Sequence, residues 1–245
     1  MAVISFDLHT HTTYSHGKGS IEDNAAAAAA AGLKTLGISD HGPGHRGFGL
    51  KMSEIPNMRR DIEQAKKDHP GLEILLGVEA NIINRSGALD VSKEDIPLFD
   101  YIIAGYHYGV FGEEPLRAAI VHAGGFWYRL AGSQSKAARI RNTALVTAAV
   151  ESNPVKIVSH PGEKADFDID AIARCCEERG TWMEINDHHN CLTVEGIRTA
   201  MKYDVTFILG SDAHVPQNVG MVERALARAE QAGLDLSRIV NYRRD

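Results

Sequence analysis

Residues 5–17 read SFDLHTHTTYSHG, placing Asp7 and three imidazoles, His9, His11 and His16, in one short polar stretch behind an apolar start. Imidazole can move protons near neutral pH and can bind divalent metals of borderline softness. His9 and His11 stand two residues apart, and on an extended segment such residues face the same side, so both rings can serve one ion. Similar residues recur along the chain: His41 in SDHG, Glu79 in GVEAN, His107 in GYH, His160 in SHPG, and Asp212 with His214 in GSDAH. Any one of them alone reads more readily as a loop or core residue than as a ligand. The chemistry depends on whether the fold brings them together.

Short apolar or β-branched runs lie just before these residues: VISFDL (3–8), KTLGIS (34–39), LEILLGVE (72–79), DYIIAG (100–105), VKIVS (155–159), TWMEI (181–185) and VTFILGS (205–211). Each reads as a buried parallel strand. Helical segments alternate with them, such as SIEDNAAAAAAAGL, with Ser20 as cap and Gly32 as stop, and MSEIPNMRRDIEQAKKDH before the third strand. The alanine run 25–31 fits a helix packed closely on a sheet, since alanine is small and strongly helix-forming. Seven strands with neither a GxGxxG turn nor a P-loop favour a barrel over a doubly wound dinucleotide fold.

In a parallel βα barrel the carboxyl ends of the strands converge on one face, where the following loops build the site. Six of the seven runs deliver a His, Asp or Glu of the set above at that end, the sixth run being the exception. Their joint placement reverses the odds against any single one, because a carboxylate can bridge two metal ions and imidazole suits zinc. His45, His69, His122, His188 and His189 fall in loops or helical segments and read as solvated residues.

The chain has 245 residues, 44% of them hydrophobic, enough for one large α/β domain. Residues 1–245 are expected to form one barrel domain, with a lid-like insertion at about 108–153, a segment longer than an ordinary crossover that carries Gly124, Gly125, Phe126, Trp127 and Tyr128. A net charge of −6 argues against a broad basic surface for nucleic acid or anionic membrane. Neither a signal peptide nor a membrane span is visible, and Cys175, Cys176 and Cys191 lack CxxC spacing, so a cytoplasmic protein is expected.

Taken in order, DLHTH, SDHG, GVEAN, GYH, SHPG and GSDAH make the whole chain resemble the polymerase and histidinol phosphatase (PHP) family of metallophosphoesterases, particularly its small YcdX-like members. The resemblance implies a distorted (βα)7 TIM-like barrel holding three divalent ions at the C-terminal ends of its strands, usually zinc, sometimes manganese or iron. It further implies that His9, His11, Glu79 and Asp212 hold one ion, that Glu79 bridges to a second completed by His107 and His160, and that His16, His41 and His214 hold the third. Asp7 and Asp40 stand beside ligand histidines, where they could orient an imidazole or make ordinary loop hydrogen bonds.

Divalent metal lowers the pKa of bound water from about 15.7 towards 7, so such a centre would supply hydroxide for in-line attack on a phosphorus. The expected activity is hydrolysis of a small phosphorylated metabolite, a phosphomonoester, with Lys18, Lys51, Arg85, Arg129 and Lys164 as candidate substrate contacts. No separate protein nucleophile is visible. Two alternatives are a TatD-like metal-dependent nuclease, against which the additional His41 and His214 argue, and a non-catalytic metal-binding or regulatory barrel.

Overall fold

All seven apolar runs form strands in the computed structural model, which describes residues 3–45, 47–107, 110 and 135–243. They are β1 (Phe6–Asp7), β2 (Thr35–Ile38), β3 (Glu73–Asn81), β4 (Tyr101–Gly105), β5 (Val155–Val158), β6 (Trp182–Asn186) and β7 (Phe207–Gly210). Each pairs in parallel with the next in a single sheet of order β1-β2-β3-β4-β5-β6-β7. Among the described residues the α-helices that follow strands are α1 (Ile21–Ala31), α2 (Ile55–Asp68), α3 (Lys136–Ser152), α4 (Ile169–Arg179), α5 (Val194–Ala200) and α6 (Glu223–Ala232). The passage from β3 to β4 has only the 3-10 turn Ile96–Leu98, one of the departures from an ideal barrel. Most of the expected insertion, residues 108, 109 and 111–134, lies outside the described residues, and its C-terminal part is α3.

Local signals act where the sequence places them. The Ser20 hydroxyl accepts from the Asp23 N–H at 3.1 Å, the Asp23 carboxylate accepts from the Ser20 N–H at 2.8 Å, and Gly32 ends α1 in the left-handed region at φ 76°. Ala25 and Ala28 are fully buried, which fits close packing of the alanine-rich helix.

Ladder pairing in β1 is shorter than the apolar run because side chains replace it. The Ser39 hydroxyl accepts from the Thr10 N–H at 3.1 Å, Thr10 Oγ1 donates to the Gly37 carbonyl at 2.7 Å, and the Tyr101 hydroxyl donates to the Leu8 carbonyl at 2.7 Å. Leu8, Tyr101, Ile103, Ile157 and Ile208 form a small apolar cluster separate from the main core. A Cβ on Gly37 or Gly77 would overlap the Tyr101 phenol, so these two glycines admit the ring into the barrel. Beyond this apolar floor, β3 and β6 present Glu79 and Glu184.

The sheet nearly closes between β1 and β7. At the carboxyl end Thr10 and Ala213 form a parallel bridge, and the buried Asp7 carboxylate accepts from Ser211 Oγ at 2.5 Å and the Gly220 N–H at 2.9 Å. At the other end Asn241, fully buried, fills the seam: its Nδ2 donates to the Phe6 and Leu209 carbonyls, each at 2.8 Å, and its Oδ1 accepts from the Leu209 N–H at 3.0 Å. Each buried backbone group left without a partner costs about 1–3 kcal/mol. Asn241→Ala is therefore expected to destabilise the protein by about 3 kcal/mol or more, read as a lower urea midpoint at unchanged slope.

Candidate metal centre

The chain's own residues converge at the carboxyl ends of the strands. Glu79, fully buried at the end of β3, occupies the middle. Its Oε1 lies 2.8 Å from His160 Nε2 and 3.4 Å from His107 Nε2, and accepts from Ser159 Oγ at 2.8 Å. Its Oε2 lies 2.8 Å from His41 Nδ1, 3.5 Å from His9 Nε2 and 3.8 Å from His11 Nε2. Asp212, delivered by β7, has Oδ1 3.0 Å from His11 Nε2 and 3.6 Å from His9 Nε2. His214 donates Nδ1–H to the Asp212 carbonyl at 2.9 Å, which leaves its Nε2 available. Of the nine residues expected from the sequence, eight thus meet around Glu79 and Asp212.

The ninth, His16, is half-buried and stacks on His41 with centroids 4.8 Å apart. Its ring also meets that of His214 at 4.4 Å. Three sets have ligating atoms within 4.8 Å of one another among the described residues: His9, His11, Asp212; His41, Glu79, His107; and His11, His41, His214. His16 packs against the last set without belonging to it.

The donor chemistry fits a metal. His9 Nε2, His11 Nδ1, His41 Nδ1 and Glu79 Oε2 are buried and make no hydrogen bond, although buried polar atoms are ordinarily satisfied. Burial, with His41 and His214 close by, pushes His11 well below the usual imidazole range. Burial likewise lowers His107 to about 3 and His16 to about 4. Burial thus favours the neutral form of these rings, the form that keeps the lone pair a metal requires. Burial opposes the ionisation of Glu79 and Asp212, yet neighbouring imidazoles, His107 and His9 foremost respectively, hold both well below the ordinary carboxylate range. Burial would lower His9, but Glu184, Asp212 and Glu79 raise it well above its ordinary value.

Outer groups orient the rings. His107 donates Nδ1–H to Asn81 Oδ1 at 2.8 Å, which turns Nε2 inward, and Asn81 Nδ2 is held by Asp90 Oδ2 at 2.5 Å. Asp7 and Asp40 do not orient imidazoles. Asp40 accepts from the Thr12 N–H at 2.7 Å and Thr12 Oγ1 at 2.6 Å and tethers the loop that carries His11 and His16. His160 and Asp212 hold positive φ, 25° and 51°, in a region disfavoured for side chains with a Cβ.

Several contributors were not expected from the sequence. The sixth strand does deliver a group: Glu184 Oε1 accepts from His9 Nδ1–H at 2.7 Å. An acid and an amide at alternate positions of the apolar run WMEIN were the available signal. His189, read as solvated, has Nε2 3.5 Å from Asp212 Oδ2 and Nδ1 3.3 Å from Glu163 Oε2. His45 stacks on His41 at 5.4 Å, and His188, exposed, meets the His214 ring at 5.3 Å. His69 does lie on the outer surface, 2.7 Å from Glu22, and His122 falls outside the described residues.

Comparison with known proteins gives a consistent result. The sequence model of the PHP domain matches residues 7–188. A protein of Shewanella amazonensis described as a probable phosphatase is 29% identical over 96% of this chain and 86% of its own length. One of Acetivibrio thermocellus with the same description is 28% identical over 96% of this chain and 90% of its own. Among solved structures, the histidinol phosphate phosphatase of Lactococcus lactis, complexed with zinc, L-histidinol and phosphate, superposes with a TM-score of 0.62 at 14% identity, covering 94% of each chain.

A ligand that binds only the folded state stabilises it by about 2.7 kcal/mol at a hundredfold excess over its Kd. Zinc added at that excess to metal-free protein is expected to raise the unfolding midpoint accordingly. In His11→Ala, which removes a ring shared by two of the three sets, the rise should fall to less than half.

Proposed function

The chain belongs to the PHP domain family, and from that premise we propose that it is a metal-dependent phosphatase acting on a small phosphorylated metabolite at a trinuclear centre. The observation that carries this reading is the set of buried, unsatisfied imidazole and carboxylate lone pairs gathered at the strand ends. Eight residues would hold the ions: His9, His11, Glu79 and Asp212; Glu79 again with His107 and His160; and His41 and His214, with His16, the ninth residue expected, packed beside the last pair. Zinc is the first metal to test, with manganese and iron next. Bound divalent ions would polarise a phosphoryl oxygen and supply hydroxide at neutral pH.

The protein's own part is to position and to shield. His41, His107 and His160 are each less than one-tenth exposed, and low solvent exposure would strengthen interactions with charge that develops during phosphoryl transfer. Three divalent ions would bring more positive charge than Glu79, Asp212 and Glu184 return, which would leave the recess electropositive in a chain of net charge −6. A phosphate dianion would then be drawn to this recess and not to the surface at large.

Small substrates are favoured because the chain carries no excess of basic residues to track a polymer backbone. Lys18 follows the ligand loop, its backbone N–H donating to the His214 carbonyl at 2.8 Å. Lys164 donates to Glu163 Oε1 at 2.7 Å, and Glu163 in turn faces His189 at the mouth. These two are the better-placed candidates for contacts to the substrate. Lys51 and Arg85 are exposed, as is Lys18, and Arg129 lies outside the described residues.

Metal analysis of protein purified without chelator should find about three equivalents of transition metal. A panel of phosphorylated metabolites and p-nitrophenyl phosphate should release inorganic phosphate. His41→Ala is expected to lower the metal content by about one equivalent and turnover by about tenfold or more. Metal without hydrolysis of any ester would favour a binding or regulatory barrel, and preferential cleavage of DNA would favour a nuclease.

A further inference from the structure

Glu184 lies in the middle of β6, within the apolar run WMEIN, and is 1% exposed. A carboxylate so deeply buried has to be matched by donors. Its Oε2 accepts from the backbone N–H of His160 at 2.8 Å and from Asn186 Nδ2 at 2.9 Å. Neither donor can reverse its role. A backbone N–H only donates, and the Asn186 amide is locked because its Oδ1 accepts from the His189 N–H at 2.7 Å. Oε2 is therefore committed, and Oε1 alone faces His9 Nδ1, at 2.7 Å.

That arrangement determines which nitrogen of His9 carries the proton in the neutral ring. Facing a carboxylate oxygen, Nδ1 is held as N–H, and the lone pair falls on Nε2. His9 Nε2 makes no hydrogen bond and lies 3.5 Å from Glu79 Oε2 and 3.6 Å from Asp212 Oδ1, on the side where the metal reading needs a ligand. We propose that Glu184 is a positioning residue that fixes His9 in the Nδ1–H form, so that Nε2 binds metal. The inference rests on the metal-centre reading above and adds Glu184 to it.

The geometry gives this proposal a specific sign. In Glu184→Gln the side-chain oxygen must stay with the two committed donors, since an NH2 there would face two N–H groups. The new NH2 then points at His9 Nδ1, which can receive it only as a lone pair. The His9 proton moves to Nε2 and occupies the ligating atom. Volume is unchanged, so the lesion is chemical and not steric. A second variant reaches the same contact without changing residue 184: a Cβ on Gly210, across the β6–β7 pair, would overlap Glu184 Oε1. Gly210→Ala should push the carboxylate off His9.

The test measures zinc affinity by chelator competition on the full chain, together with the His9 tautomer from two-bond 1H–15N NMR. Zinc-loaded wild type should show Nδ1 protonated. Glu184→Gln should place the proton on Nε2 and weaken zinc binding about 10- to 100-fold, with Gly210→Ala weakening it in the same direction. Glu184→Asp, which keeps a carboxylate, should recover part of the affinity. Wild-type affinity with an unchanged tautomer in Glu184→Gln would overturn the proposal, as would loss of folding in both Glu184→Gln and Gly210→Ala, which would make Glu184 a support of the core. A wild type that takes up no metal would instead overturn the metal-centre reading. The tautomer of metal-free His9 at alkaline pH would still decide what Glu184 does.

Discussion

One carboxylate, Glu79, organises the centre. It stands within 4 Å of five imidazole rings, those of His9, His11, His41, His107 and His160, which reach it from after β1, β2, β4 and β5. A buried carboxylate is expensive to ionise, and buried imidazoles are expensive to protonate. The two kinds of group therefore need either each other or a cation between them. Hydrogen bonds satisfy only part of this demand, because Glu79 Oε2 and several ring nitrogens remain without one. The convergence of strand ends in a barrel is what allows residues as distant as positions 9 and 160 to share a single acceptor.

Such a centre requires the seam between the first and last strands to hold, because His9, His11, Asp212 and His214 all lie along it. Polar side chains supply that closure. Asp7 ties β1 to Ser211 and Gly220, the backbone N–H of His11 donates to the Ala213 carbonyl at 2.9 Å, and Asn241 stitches the opposite end. A regular ladder would have aligned β1 with its neighbours at the expense of the HTH geometry. Hydrogen bonds from Thr10, Ser39 and Tyr101 let the chain leave the ladder while its backbone groups remain paired.

The strands were legible because each is a short, nearly continuous apolar run, which is how a strand buried on both faces must read. The ligand-type residues were legible because they sit just past those runs. Glu184 was not, since it lies inside its run, and only the period of two along β6 reveals that it faces the same way as Asn186. His45 and His189 were misread for a related reason, whereas His188 is exposed as read. Loop residues carry no periodicity, and whether a loop folds over the mouth or away from it depends on contacts such as the His189 N–H to Asn186 Oδ1 that the sequence does not display. Asp7 and Asp40 follow the second of their two readings: each is adjacent to candidate ligand histidines yet serves backbone and hydroxyl donors.

Two strained residues bear on how stability and activity are divided. His160 and Asp212 both hold left-handed backbone without being glycine, and such residues cost about 1–3 kcal/mol each. Both sit where a strand ends and a candidate ligand turns inward. Glu184 Oε2 accepts from the strained His160 N–H, and His214 donates to the carbonyl of the strained Asp212, so the surrounding polar groups hold the backbone in place. The same groups leave lone pairs facing one another across the recess. The fold thus carries both backbone strain and unsatisfied lone pairs, and a cation would relieve the second without altering the first. A bound cation would in this way link binding energy to folding energy at the strand ends, where the residues least favourable to the fold are the candidate ligands.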